Sequence, residues 1–363
     1  MSDLTKFDYT DVLAWVGKEQ YTPQNTNPVE RTEIRLFANI AGDMNPLWYS
    51  HEYGKQTRWG GMVAPPHWLH AHDSAAWPGW VGKTSPANNL HAGTRWQFGR
   101  PVRAGDVIVV ERKNFTVTEK RGGFADISIL VQGDTVYTDD RSGDHLGTVT
   151  TSIFRYPLSE QVAATQGPSR HEYAAAELAS IYEQRDAWRP RGGEPLWFDD
   201  VHEGDALPTM VLGPHTVTEF ARHQLIYRLS ELTPTDTKNL RDPKLNKELG
   251  LDLFASSKDV HMEASSAKKG GVAAAYDFGP QRIAWLGKYL TDWFGDGGWL
   301  QSHDVRLRAP NLENDTNWVR GTVVGQTETD GDDGLIRVEF TMKNQHDVNI
   351  ATGTAEVLLP KRP

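Results

Sequence analysis

The clearest hydrophobic pattern in the chain lies between residues 274 and 300. Ile283, Leu286, Tyr289, Leu290 and Trp293 recur at threes and fours, the spacing of one face of a helix. Gly279 and Pro280 open this stretch, and Gly295, Gly297 and Gly298 close it. Proline suits a first helical turn and glycine suits the position after the last, so the pattern predicts a capped, amphipathic core helix. Its N-terminus emerges from a loop holding Tyr276, Asp277 and Gly279. Free backbone N–H groups at such a start can polarise a carbonyl, although most capped helices do no chemistry.

Helical spacing also predicts short helices near residues 9–17 and 30–40, a longer one near 66–77, and others over 172–188 and 216–232. Between them the pattern changes to alternation. Residues 91–120, 124–138 and 147–157 read as antiparallel strands, and so do 305–326, 334–345 and 351–360. The run TDGDDG, Thr329 to Gly334, lacks the spaced ligands and closing Glu of a calcium loop and reads as a hairpin turn.

The order helix, loop, longer helix, strands occurs twice. Pro101 to Asp106 and Pro310 to Asp315 have the same spacing, and each leads into a Val-rich strand. Each half ends on a Gly-Thr strand, Gly147-Thr148 and Gly353-Thr354. The expectation is an α+β protein of two repeats, each wrapping a curved sheet round one central helix. The repeats span 1–157 and 195–363, with 158–194 as the linker and a charged insertion at 233–252.

Composition narrows the function classes. With 363 residues, 38% of them hydrophobic and 24% charged, the chain has the profile of a globular protein with room for two domains. A net charge of −10 argues against a nucleic-acid partner. The absence of cysteine removes disulfides, thiolate metal sites and a Cys nucleophile. The N-terminus does not read as a signal peptide and no apolar run reaches membrane-span length, so the expected location is cytoplasmic. The 13 tryptophans suit an aromatic or hydrophobic ligand cavity as well as an ordinary core.

Four segments carry a resemblance: GDMNPLW (Gly42 to Trp48), GGMVAPP (Gly60 to Pro66), DVHMEA (Asp259 to Ala264) and AYDFGPQR (Ala275 to Arg282). They resemble the MaoC-like, R-specific enoyl-CoA hydratase family. The closer likeness is to its two-repeat members, with an N-terminal domain like the dehydratase region of fungal fatty acid synthase. The resemblance runs from about Glu30 to Pro360. It implies a double hot-dog fold and reversible hydration of a trans-2-enoyl thioester, with coenzyme A as carrier ahead of acyl-carrier protein. It implies no cofactor, and the family's habit allows a homodimer.

The family motif runs Gly-Asp-x-Asn-Pro-Ile/Leu-His, its Asp and His holding the water that adds. One group takes a proton from water while another is delivered at the α-carbon, and a backbone N–H stabilises the enolate. Here neither half has the full pair. The first half keeps Asp43 and Asn45 but has Trp48 at the His position. The second half keeps His261, with Ser256 at the Asp position. Pro65 and Pro66 have no N–H to give, whereas Phe278 and Gly279 do. The working site is therefore expected in the second half, with catalytic His261 and Gly279; Asp43 is the motif's carboxylate. Asp259, Glu263 and Asp277 are candidates for the missing acid. Tyr276, Asp277, Arg282, Trp48, Asn45 and His67 are candidate substrate contacts, and Trp59 and Trp68 candidate cavity walls.

Each candidate has a plainer reading. His261 alone suits a surface histidine, and Asp43 suits a turn cap before Asn45-Pro46. His67, His70 and His72 suggest a metal site, but His72 falls on another helix face and zinc needs three or four convergent ligands, so no metal is expected. Arg282, Arg306, Arg308, Lys268 and Lys269 suit either coenzyme A phosphates or ordinary surface charge. Two other functions stay open: a degraded acyl-thioester-binding or partner subunit, and a hot-dog thioesterase.

Overall fold

A computed structural model describes residues 7–22, 28–73, 87–122, 125–157, 171–228, 259–269 and 271–363. Ten strands form one antiparallel sheet. In chain order they are β1 (Gln20–Thr22), β2 (Ala87–Phe98), β3 (Ile108–Arg121), β4 (Ile127–Asp139) and β5 (His145–Pro157), then β6 (Met210–Leu212), β7 (Trp299–Leu307), β8 (Asn317–Thr327), β9 (Asp333–Asn344) and β10 (Asn349–Pro360). Their spatial order is β1-β3-β4-β5-β2-β7-β10-β9-β8-β6. This is two five-strand halves with the same internal order, joined where β2 pairs with β7 from Gly93↔Arg306 to Gln97↔Ser302. The sequence TDGDDG falls in the hairpin between β8 and β9, whose pairing resumes at Thr327↔Leu335.

The helices described are α1 (Thr10–Leu13), α2 (Arg31–Ala41), α3 (His51–Gly54), α4 (Trp68–His72), α5 (Ala175–Ala187), α6 (Val217–Arg228), α7 (Ala264–Lys269) and α8 (Gly279–Phe294). Helix α2 starts at a capping box between Glu30 and Glu33 and ends at Gly42, whose φ of 67° is the left-handed conformation glycine adopts without strain. Helix α4 is described for five residues only, because 74–86, into which the expected helix runs, lie outside the described residues. The charged insertion and Ser256 lie outside them as well. Within the expected linker, α5 packs on the second half: Arg185 donates to the Gly213 carbonyl at 2.9 Å and Trp188 to Asp292 at 2.7 Å.

Helix α8 is the buried helix expected, and its burial extends beyond the apolar face. Every residue in it except Lys288 is buried. The reason is tertiary. One side lies on β2 and β7, and α2 and α6 cover others, while Trp188 stacks on Tyr289 at 5.8 Å. The charged residues along it are paired, as buried charges require: Arg282 with Asp277, and Lys288 with Asp292. The main core runs continuously through both halves, from Ile34, Phe37 and Trp96 to Tyr289, Val338 and Leu359.

Candidate functional site

The two halves correspond around the central helices. Val63 bridges to Arg103, and Tyr276 bridges to Leu312. The next N–H, of Ala64 or Asp277, donates to the Val102 or Asn311 carbonyl at 2.9 Å in both cases. Ala64 therefore corresponds to Asp277, an offset of 213, and Pro66 to Gly279. The same offset carries the 3₁₀ turn Pro46–Trp48 onto Asp259–His261. Trp48 and His261 thus stand at equivalent places, each one turn ahead of a short helix.

The first-half site is closed. Asp43 is 3% exposed and lines a cavity of about 10 Å³, the size of one water. Pro65, Pro66 and His67 form one wall; Ala284, Gly287, Lys288 and Thr291 of α8 form the other. Burial, reinforced by the Asp292 charge, raises the Asp43 carboxyl to about 7. Asn45 donates its backbone N–H to Asp43 at 3.1 Å and its side-chain amide to Asp296 at 2.7 Å. Trp48 is buried among Ala38, Leu47 and Val63. Lys288 and Trp188 both donate to Asp292. His67 reaches across to His303 at 2.9 Å and packs so closely on Gly287 that a Cβ there would lie 2.2 Å from its Nδ1. Burial and the neighbouring His303 hold the His67 ring well below the usual histidine range.

The second-half site is built round the start of α8. His261 Nδ1–H donates to the Tyr276 carbonyl at 2.9 Å, which leaves Nε2 as the basic nitrogen of the neutral ring. Its ring lies 5.0 Å from that of Tyr276 and 5.4 Å from that of Phe278, both edge-on. Phe278 is extended (φ −79°, ψ 126°) and has no capping side chain. Gly279 follows as the first helical residue, and its N–H has no acceptor within the helix.

Asp277 and Arg282 serve the scaffold here. The Arg282 guanidinium holds both Asp277 oxygens and donates to the carbonyls of Ala309 and Ile350, all inside the protein. Asn311 adds a contact to Asp277 at 3.2 Å. This network fixes the loop before α8; it uses the Arg282 donors that were expected to face a ligand phosphate. Glu263 is exposed beside Ser265. Asp43 lies on the far wall, opposite Gly287 and Lys288, about 12 Å along α8 from Gly279 at 1.5 Å per residue.

Sequence reasoning missed His91. It sits on β2, in the other half, and its ring lies against Gly279, where a Cβ would come within 2.4 Å of Nδ1. The signal was faint, one histidine in a strand, and only the β2–β7 junction brings it to α8. The triplet His67, His70 and His72 does not converge: His72 stacks on Trp68 at 5.2 Å. Among the described residues, no group of three or more His, Asp or Glu is placed to hold a metal ion. Nor is any described helix long and apolar enough to cross a membrane.

Comparison with known proteins fits this architecture. A model of the FAS1-like dehydratase domain region matches residues 14–149. A UPF0336 protein of Streptomyces avermitilis is 28% identical over 145 residues, 39% of this chain and 91% of the relative. Another from Parafrankia sp. is 38% identical over 104 residues, 26% of this chain and 66% of its own. Among solved structures, a MaoC-like dehydratase superposes with a TM-score of 0.68 at 19% identity, covering 96% of this chain and 99% of the other. A conserved hypothetical protein of Mycobacterium tuberculosis, described as having a double hot-dog fold, gives 0.55 at 11% identity, over 95% and 96%. The chain has the double hot-dog fold of the MaoC-like proteins. In this double hot-dog the family-model match falls on the first half, whose site is closed, whereas the structural likeness spans both.

Proposed function

We propose that the protein is a hydratase/dehydratase that interconverts a trans-2-enoyl thioester and a 3-hydroxyacyl thioester, with coenzyme A as carrier, at the second-half site. The observation that carries this reading is His261 standing over the Phe278–Gly279 start of a 16-residue buried helix. The FAS1-like dehydratase match and the MaoC-like fold support the reaction class.

In this reading the thioester carbonyl lies on the Gly279 N–H, where the helix dipole favours developing negative charge. Water adds to the β-carbon as the double-bond electrons move to the α-carbon and carbonyl oxygen. The water proton leaves through His261, and the α-carbon gains one proton, so no further reactant is consumed. His261 Nε2 suits this role because its Nδ1–H is already given to the Tyr276 carbonyl.

The test is hydration of trans-2-enoyl-CoAs of graded length, followed by loss of enone absorbance. Wild-type protein is expected to turn over at least one of them, and His261→Ala to lower kcat/KM by roughly 10²–10⁴. Asp43→Asn is expected to retain activity at neutral pH. No hydration across the series, or full activity in His261→Ala, would overturn the proposal.

A further inference from the structure

His91 is half-buried; its Nε2 is enclosed and has no hydrogen-bond partner among the described residues. The ring contacts the Gly93 backbone. Since Nε2 is unpartnered, that contact runs through Nδ1–H to the Gly93 carbonyl, so Nε2 carries the lone pair. Burial first, and then the nearby His70, lower the ring to about 3, so it stays neutral at ordinary pH.

Local backbone aims this ring. The β2–β5 register skips Ala92, a bulge between His91 and Gly93. A bulge turns a strand side chain out of the ordinary alternation and is common beside sites. The same bulge recurs in β7, where the register skips Gln301. The strand offset between halves is 209, from Pro101 to Pro310, so His91 corresponds to Leu300. By these offsets Pro66 and Leu300 take the places of Gly279 and His91, which lie against each other. A leucine and a proline offer no hydrogen bond; a glycine N–H and a bare imidazole nitrogen offer a donor and an acceptor. Gly279 is required here because its missing side chain admits the ring.

A buried unpaired acceptor costs stability unless a ligand completes it. We propose that His91 is a substrate-contacting residue of the second-half site, its Nε2 accepting a hydrogen bond from the C3 hydroxyl of a 3-hydroxyacyl thioester. In the hydration direction it holds the attacking water in the same way. This assignment rests on the hydratase reading. His91 orients the oxygen without keeping its proton, and it distinguishes 3-hydroxyacyl from saturated acyl chains.

The test is calorimetric binding of saturated acyl-CoAs and their 3-hydroxy counterparts, four to sixteen carbons long, to wild type, His91→Phe and His91→Gln. Wild type is expected to prefer the hydroxylated member of a pair. His91→Phe should weaken that member about 10–100-fold and leave the saturated one within about twofold, as for a site that has lost a hydroxyl partner. His91→Gln, which restores an acceptor, should recover most of the loss. Equal losses for both members, or none, would overturn the assignment while leaving the hydratase reading intact. If wild type binds no thioester, both fall together.

Discussion

The two halves share one backbone plan, and three of the equivalent positions at which they differ set the second apart. Where the first half has Trp48, Pro66 and Leu300, the second has His261, Gly279 and His91. Pro66 and Leu300 give way to residues that can give or take a hydrogen bond, and Trp48, whose indole N–H can only donate, gives way to a histidine that can also accept. The opposite helices differ too. Helix α8 runs unbroken past the first-half motif and closes it with Lys288, to a cavity of about 10 Å³. Asp43, which matches the carboxylate of the family motif, thus occupies a cavity too small for an acyl chain. The family-model match falls on one half, while the catalytic groups proposed here lie in the other.

The largest effect should come from making the second site a copy of the first. Gly279→Pro combined with His91→Leu removes the N–H and the imidazole together, and the extended Phe278 already suits a following proline. Enoyl-CoA hydration should fall by roughly 10³ or more, the scale of losing an oxyanion donor and a positioning group. The reverse pair, Pro66→Gly with Leu300→His, should leave kcat/KM within about twofold. Loss of activity in the reverse pair instead would place the chemistry in the first half.

Asp43 offers a sharper contrast in stability. Its carboxyl titrates near 7 in the folded chain against 3.8 unfolded. Between those values the folded state holds the extra proton, so stability should decline as pH rises from about 4 to 7 and level off above. The shift corresponds to at most about 4 kcal/mol. Asp43→Asn should remove this slope in urea titrations run at pH 5 and pH 8, and parallel slopes in the two proteins would refute it. The smallest effect concerns the first-half wall. Gly287→Ala would push a methyl group against His67, where close packing leaves no room. It should cost about 1–3 kcal/mol by overpacking, read as a lower melting temperature, while the equivalent change on an open glycine such as Gly331 should cost far less.

Much of the architecture was legible in the chain. The repeat spacing from Pro101 to Asp106 and from Pro310 to Asp315 reappears in structure: Asp106 accepts the N–H of Arg103 at 2.7 Å, and Asp315 that of Leu312 at 3.0 Å. Alternation located the long strands, because each buries one face. Glycine and proline punctuation marked the start of α8 at Gly279 and its stop at Gly295. The pairing of Trp48 with His261 also followed from local motif order. The full burial of α8 was not legible. The apolar spacing marked a core helix, and only the partners Asp277 and Lys288, with the cover of α2 and α6, bring its polar residues inside as well.

The sequence by itself determined the local features: where helices start and stop, which strand face is apolar, that the unit is duplicated, and which half retains the histidine. Those depend on neighbours a few residues apart. Tertiary structure alone decided what meets across the β2–β7 junction. His91 and Gly279 are 188 positions apart, and Asp43 and Lys288 are 245 apart, so no local pattern relates them. One meeting seats an imidazole ring against a helix start; the other closes a cavity over a carboxylate. The physical reason is that burial and hydrogen-bond partnership belong to the packed assembly, and only packing sets which buried group is left to a ligand.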